Sequence, residues 1–119
     1  MKNHIVWCDI PVTDIDRAIK FYSGVFGSTI EKQTWGNMAM GVFHTGDDVG
    51  GCLTTSNEAK PSADGPLVYL NCEGRLDEAI ATVTKNGGKV LQPKHQIGPY
   101  GFRAVVLDSE GNRIALHSK

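Results

Sequence analysis

The chain has 119 residues, with 12 basic and 13 acidic side chains and a formal charge of −1. This length suits one domain that buries about two thirds of its unfolded surface without needing a disulfide or a metal. The charges are scattered, which excludes the basic runs that bind nucleic acid or acidic lipid, and no apolar run is long enough to span a bilayer.

In chain order, Ile5 to Ile10 alternates and is rich in β-branched and aromatic residues, so it reads as a strand. Thr13 opens a helix; with Asp16 three residues on it resembles a capping box, and Asp14 is itself a good cap. Ile15, Ala18, Ile19, Tyr22, Val25 and Phe26 make one apolar stripe at helical spacing, and Gly27 suits the left-handed stop. Three short strands follow at Thr29 to Thr34, Met38 to His44 and Val49 to Thr55, parted by Gly36-Asn37 and Gly46-Asp47-Asp48.

Residues 56–66 are polar, carry Pro61, Gly65 and Pro66, and read as a linker. Beyond it the pattern repeats. Leu67 to Asn71 is a strand, Leu76, Ala79, Ile80 and Val83 form a helical stripe, and Asn86-Gly87-Gly88 ends that helix. Lys89 to Gln92 begins a strand, Phe102 to Leu107 is a second, and Asp108 to Asn112 turns into a third at Arg113 to His117. The order β-α-β-β-β therefore occurs twice, as module one (1–58) and module two (64–119) of a single domain. Paired modules predict a cleft, which is where small molecules bind.

The run Ile10-Pro11-Val12-Thr13-Asp14, then Asp16-Arg17-Ala18-Ile19-Lys20-Phe21-Tyr22 and Val25-Phe26-Gly27, resembles the glyoxalase / bleomycin-resistance / extradiol-dioxygenase (vicinal oxygen chelate) superfamily. So do Gly98-Pro99-Tyr100-Gly101 and the stretch from Leu107 to His117. The resemblance covers nearly the whole chain and rests on a helix entry and a hairpin turn, which speak for fold more than for chemistry. It implies an α+β fold in which two tandem β-α-β-β-β modules build a cupped, mixed, eight-stranded sheet with helices outside. It also implies a homodimer, since small members resemble one another in dimerising.

Metal enzymes of that superfamily place ligands on the first and last strands of each module, and the divalent ion acts as a Lewis acid on neighbouring substrate oxygens. Carried over residue by residue, those positions hold Trp7, Gly51 (or, one residue on, Cys52), Leu67 and Ala115. None but Cys52 is a usual ligand, whereas catalytic zinc keeps about three protein ligands and hard cations want oxygen. The expectation is a greasy pocket with no metal and no cofactor.

Other polar residues carry open alternatives. Asp9 shares the strand face of Trp7 and is a general base or a strand-end acid. His117 shares the face of Ala115 and reaches the cleft mouth or is simply exposed; His4, His44 and His95 show no ligand spacing. Arg103 clamps an anionic substrate or faces solvent. Tyr100, in a glycine-flanked loop, closes over a ligand or moves without one. Trp7, Met38, Met40, Tyr69 and Phe102 add aromatic or soft lining, or ordinary core. Cys8, Cys52 and Cys72 are odd in number and lack metal-like spacing, so they read as reduced thiols in a cytoplasmic protein whose N-terminus lacks a secretion-signal pattern; Cys8, alternating with Trp7, should lie under the helix.

Three functional readings follow. The first is a binding protein that takes an aromatic or amphipathic ligand through Trp7, Asp9, Met40, Leu67, Tyr69, Tyr100, Arg103 and His117, with a small molecule and a second copy as its partners and neither nucleic acid nor membrane. The second is a metal-dependent lyase, isomerase or dioxygenase of the same superfamily. The third is a metal-free enzyme using Asp9 or His117 as acid or base.

Overall fold

The computed structural model describes residues 4–43, 49–56 and 58–119. His44 and the Gly46-Asp47-Asp48 turn lie outside the described residues. Module one runs β1 (Trp7–Pro11), α1 (Ile15–Phe26), β2 (Lys32–Trp35), β3 (Met38–Phe43) and β4 (Gly50–Thr54). Module two runs β5 (Val68–Asn71), α2 (Leu76–Lys85), β6 (Lys89–Gln96), a 3₁₀ turn (Gly98–Tyr100), β7 (Phe102–Leu107) and β8 (Arg113–Ser118). This is the expected α+β arrangement of two β-α-β-β-β modules. The eight strands divide into two four-stranded sheets, ordered β1-β4-β3-β2 and β5-β8-β7-β6. In each, the first strand pairs parallel to the last and the remaining pairs are antiparallel.

Alternation sorts each strand into two faces. The helix-side faces present Ile10 and Leu53 from sheet one, and Leu70, Ala104, Val106, Ile114 and Leu116 from sheet two. With Ala18, Phe21, Tyr22 and Val25 of α1 and Ala79 and Val83 of α2, they make one continuous buried cluster. Full burial of side chains this size is worth roughly 1.5–3 kcal/mol each, so this shared core is the main tie between the modules. Cys8 is half-buried and packs against the same cluster, on the helix side as expected.

The helices also contact one another. Arg75 precedes α2, yet its side chain caps α1: Nη2 donates to Gly24 O at 3.0 Å and Nε to Val25 O at 3.3 Å. A guanidinium on the last carbonyls of a helix satisfies orphan acceptors and opposes the negative end of its dipole. Gly27, at φ 70°, leaves room for it, since a Cβ there would stand 2.6 Å from Arg75 Cζ.

The N-terminus of α1 differs from the capping box expected of Thr13. Asp14 is the cap, accepting from the Arg17 amide at 3.0 Å. Thr13 instead donates through both its amide and its hydroxyl to Glu110 Oε1, at 3.0 and 2.9 Å. Glu110 comes from the β7–β8 turn of module two and also accepts from the Asp14 amide and from Arg17. Nearby, buried Asp108 accepts from the Tyr22 hydroxyl at 2.5 Å and from Asn112 Nδ2 at 3.0 Å. Asn112 in turn donates to Pro11 O at 2.8 Å.

Candidate functional site

The sheet faces turned away from the helices carry the candidate residues, and they form two separate groups. On sheet one, the register sets Trp7 beside Gly50 and Asp9 beside Cys52, with Met40 beside Thr54 on the same face. Trp7 Nε1 donates to Asp9 Oδ1 at 3.0 Å, and the Cys52 thiol donates to the same oxygen at 3.2 Å. Burial first, then the hydrogen bond and charge of Asp9, push the Cys52 thiol up to about 11. Burial likewise raises Cys72 to about 11 and, together with Asp9, raises Cys8. These thiols stay protonated at neutral pH and are poor nucleophiles.

The register also corrects one assignment. Gly51 pairs with Cys8, and a Cβ placed on it would press on the Cys8 carbonyl and stand 3.0 Å from Phe43 Cζ. Gly51 therefore faces the core side, and Cys52 is the residue of that strand that shares the face of Trp7 and Asp9.

On sheet two, Tyr69 lies beside Ala115, and Arg103 beside His117. Arg103 donates from Nη1 to the Tyr69 hydroxyl at 2.6 Å and from Nε to His95 Nε2 at 3.0 Å. Its guanidinium carbon is 5.9 Å from the Tyr69 ring centre. His95 Nδ1 is 2.8 Å from Pro93 O; the proton belongs on Nδ1, which leaves Nε2 free to accept from Arg103. His117 Nε2 lies 2.6 Å from Tyr100 O and donates to it, tying the 3₁₀ turn to the sheet. The Tyr69 and His117 rings meet edge to face at 6.0 Å. Tyr69, Ile97, Tyr100 and His117 line an open cavity of about 370 Å³. Leu67 stands half-buried just ahead of β5.

Tyr69, Tyr100, Arg103 and His117 are thus brought together, as are Trp7, Asp9 and Met40, but no hydrogen bond or ring contact among the described residues joins the two groups. Among the described residues the modules meet through their helices, the shared core and the β7–β8 turn, and the two groups lie on separate sheets. His95 shows no ligand spacing in the sequence, and in the structure it accepts from Arg103. Its strand, which begins at Lys89 as expected, runs to Gln96 through two register shifts that set His95 opposite Arg103. Pro93 is tolerated there because β6 is an edge strand and need not donate to a further neighbour.

The family model described as Glyoxalase/Bleomycin resistance protein/Dioxygenase superfamily matches residues 3–116. The chain belongs to this superfamily. It is 33% identical, over 98% of its length and 94% of the relative's, to a glyoxylase-like domain-containing protein of Didymella fabae. Its fold is similar to that of a glyoxalase/bleomycin resistance protein from Albidiferax ferrireducens, with a TM-score of 0.78 at 16% identity and coverage of 98% and 99% of the two chains. A glyoxalase/bleomycin resistance protein/dioxygenase family enzyme from Burkholderia phytofirmans gives a TM-score of 0.68 at 16% identity, covering 94% of this chain and 95% of that one.

As a member of the glyoxalase/bleomycin-resistance/dioxygenase superfamily, the chain can be tested for the metal that its fold implies. The backbone bonds closing each module, Val12 N to Thr54 O and Cys72 N to His117 O, align the two copies. That alignment equates Trp7 with Leu67 and Cys52 with Ala115. The four positions therefore offer one neutral thiol and no imidazole or carboxylate. Among the described residues no group of three or more His, Cys, Asp and Glu side chains is placed to hold a metal ion. The residues at these positions do not fit a divalent cation. No described helix is long and apolar enough to cross a membrane.

Proposed function

We propose that this glyoxalase-like domain is a small-molecule-binding protein that takes an aromatic or amphipathic ligand without a metal. The observation carrying this reading is the donor set at the four family positions: Trp7, Cys52, Leu67 and Ala115 supply a single thiol held protonated. The cavity of Tyr69, Ile97, Tyr100 and His117 supplies ring faces and edges and an apolar wall, which suit a flat ligand. The acid–base alternative gains no support, because Asp9 is engaged by Trp7 and Cys52, and His117 by Tyr100. The three free thiols favour a reducing, cytoplasmic setting.

The reading includes a homodimer. Trp7 and Tyr69 are 43% and 46% exposed on the outward sheet faces, and exposed aromatic surface of this kind favours a second copy packing there.

Elemental analysis of the purified protein, paired with calorimetric titration of a neutral aromatic probe such as benzamide, tests this. The expected result is zinc, nickel, manganese and iron well below one per chain, and probe binding that is unchanged by EDTA and weakened by Tyr100→Ala. Stoichiometric metal whose removal abolishes probe binding would return the protein to the metal-dependent class.

A further inference from the structure

We infer that the cavity on sheet two selects a monoanionic aromatic carboxylate, with Arg103 and Tyr69 as the carboxylate-binding pair. This rests on the reading of that cavity as the ligand site. Arg103 has no acidic partner among the described ion pairs. Its neighbours are both uncharged: the Tyr69 hydroxyl takes one Nη1 hydrogen, and neutral His95 takes the Nε hydrogen. Nη2 thus keeps both its hydrogens and Nη1 one, enough donors to meet a carboxylate.

The Tyr69 hydroxyl accepts from Arg103, so its own proton is left to donate. The same Tyr69 ring lines the cavity. One side chain thus borders both the charged guanidinium and the space where an aromatic body would lie, with the His117 edge and Tyr100 beside it. His95 is a positioning residue: held by Pro93 O through Nδ1, it directs Nε2 at Arg103 and fixes the guanidinium.

The preference for a single negative charge follows from Arg103, the cation bonded to the cavity residue Tyr69. Lys94, the neighbour of His95 on β6, is paired with Asp77 at 3.2 Å and lies over the Phe102 ring at 5.4 Å. A dianion such as phosphate would leave half its charge unmatched. A neutral aromatic amide would leave the guanidinium unmatched in a partly dry site.

The test is calorimetric titration of the full chain with benzoate, benzamide and inorganic phosphate at fixed ionic strength. Benzoate is expected to bind at least about ten-fold more tightly than benzamide and than phosphate, and to weaken with added salt. In Arg103→Met the benzoate preference over benzamide should fall to within about two-fold, while Arg103→Lys, which keeps charge but not the guanidinium, should retain part of it. Tyr69→Phe should weaken benzoate several-fold more than benzamide. Equal binding of benzoate and benzamide by the wild-type chain overturns the inference while leaving the cavity as a ligand site. Phosphate binding as tightly as benzoate overturns the aromatic part of it. Failure of all three probes overturns both the inference and the functional reading beneath it. Because the first comparison needs only the wild-type protein, a variant that fails to fold does not leave the inference undecided.

Discussion

Glu110 Oε2 lies 2.7 Å from Arg17 Nε, so the last hairpin turn of module two is pinned to the first turn of the helix of module one. The Glu110 side chain is fully buried although Arg17 is half exposed. Burial alone would raise the carboxyl, but hydrogen bonds from Arg17, the Asp14 amide, Ser109 and Thr13 outweigh it and lower it to about 2.

A carboxyl depressed in the folded state stabilises the fold above its ordinary value near 4.5 and loses that contribution as pH falls towards 2. Unfolding by urea followed at a series of pH values should therefore show stability declining through this window. In Glu110→Gln that decline should be smaller, and the variant should be less stable at pH 7 by roughly 1.5–3 kcal/mol, the scale of hydrogen bonds to a charged acceptor. An unchanged acid limb in the variant would assign the acid sensitivity to other groups.

Gly51 offers a sharper packing test. A side chain there meets the Cys8 carbonyl across the β1–β4 ladder and the Phe43 ring behind it. Gly51→Ala should cost about 1–3 kcal/mol through overpacking, read as a lower denaturation midpoint. Gly36→Ala is a poor control because φ is 60° there, even though its surroundings are open. Exposed Ser28→Ala is the better one and should change little.

The thiols give a third expectation. With Cys52 and Cys72 raised to about 11 by burial, and with Asp9 adding to the effect at Cys52, iodoacetamide at pH 7.5 should leave both unlabelled in the native protein. Both should react once urea unfolds the chain. Asp9→Ala removes the hydrogen bond and the charge that hold the Cys52 proton, so mass spectrometry should find Cys52 labelled faster than in the wild type. Rapid native labelling at Cys72 would contradict its buried position.

The fold was legible where its signals are local. The α1 stripe from Ile15 to Phe26 and the Gly27 stop are periodic features of one segment, and the structure has them as read. Trp7 and Asp9 were placed on one face by alternation alone, and the Trp7–Asp9 hydrogen bond bears this out. What could not be read were pairings set by register. Gly51 and Cys52 are adjacent, and only the ladder with Cys8 and Asp9 decides which faces the core.

Two further misses have the same origin. Thr13 looked like a cap because Asp16 stands at the right spacing, but a distant carboxylate, Glu110, competes for its amide and hydroxyl and wins. The Arg103–His95 bond depends on a strand bulged around Pro93, a residue whose local signal argues against continuing a strand at all. Asp108, Glu110 and Asn112 were visible as a turn, while their bonds to Tyr22, Arg17 and Pro11 span most of the chain.

The side chain of Arg75 is committed to carbonyls of the other copy of the repeat, at Gly24 and Val25. Although the two halves share a blueprint, they are not interchangeable parts. Grafting a half from a relative would have to bring a guanidinium at the start of its helix, and the recipient would have to keep a glycine at position 27 to receive it. Such reciprocal fittings let the halves drift apart in their outward faces, one towards Trp7 and Asp9 and the other towards Tyr69 and Arg103, while the seam between them stays fixed.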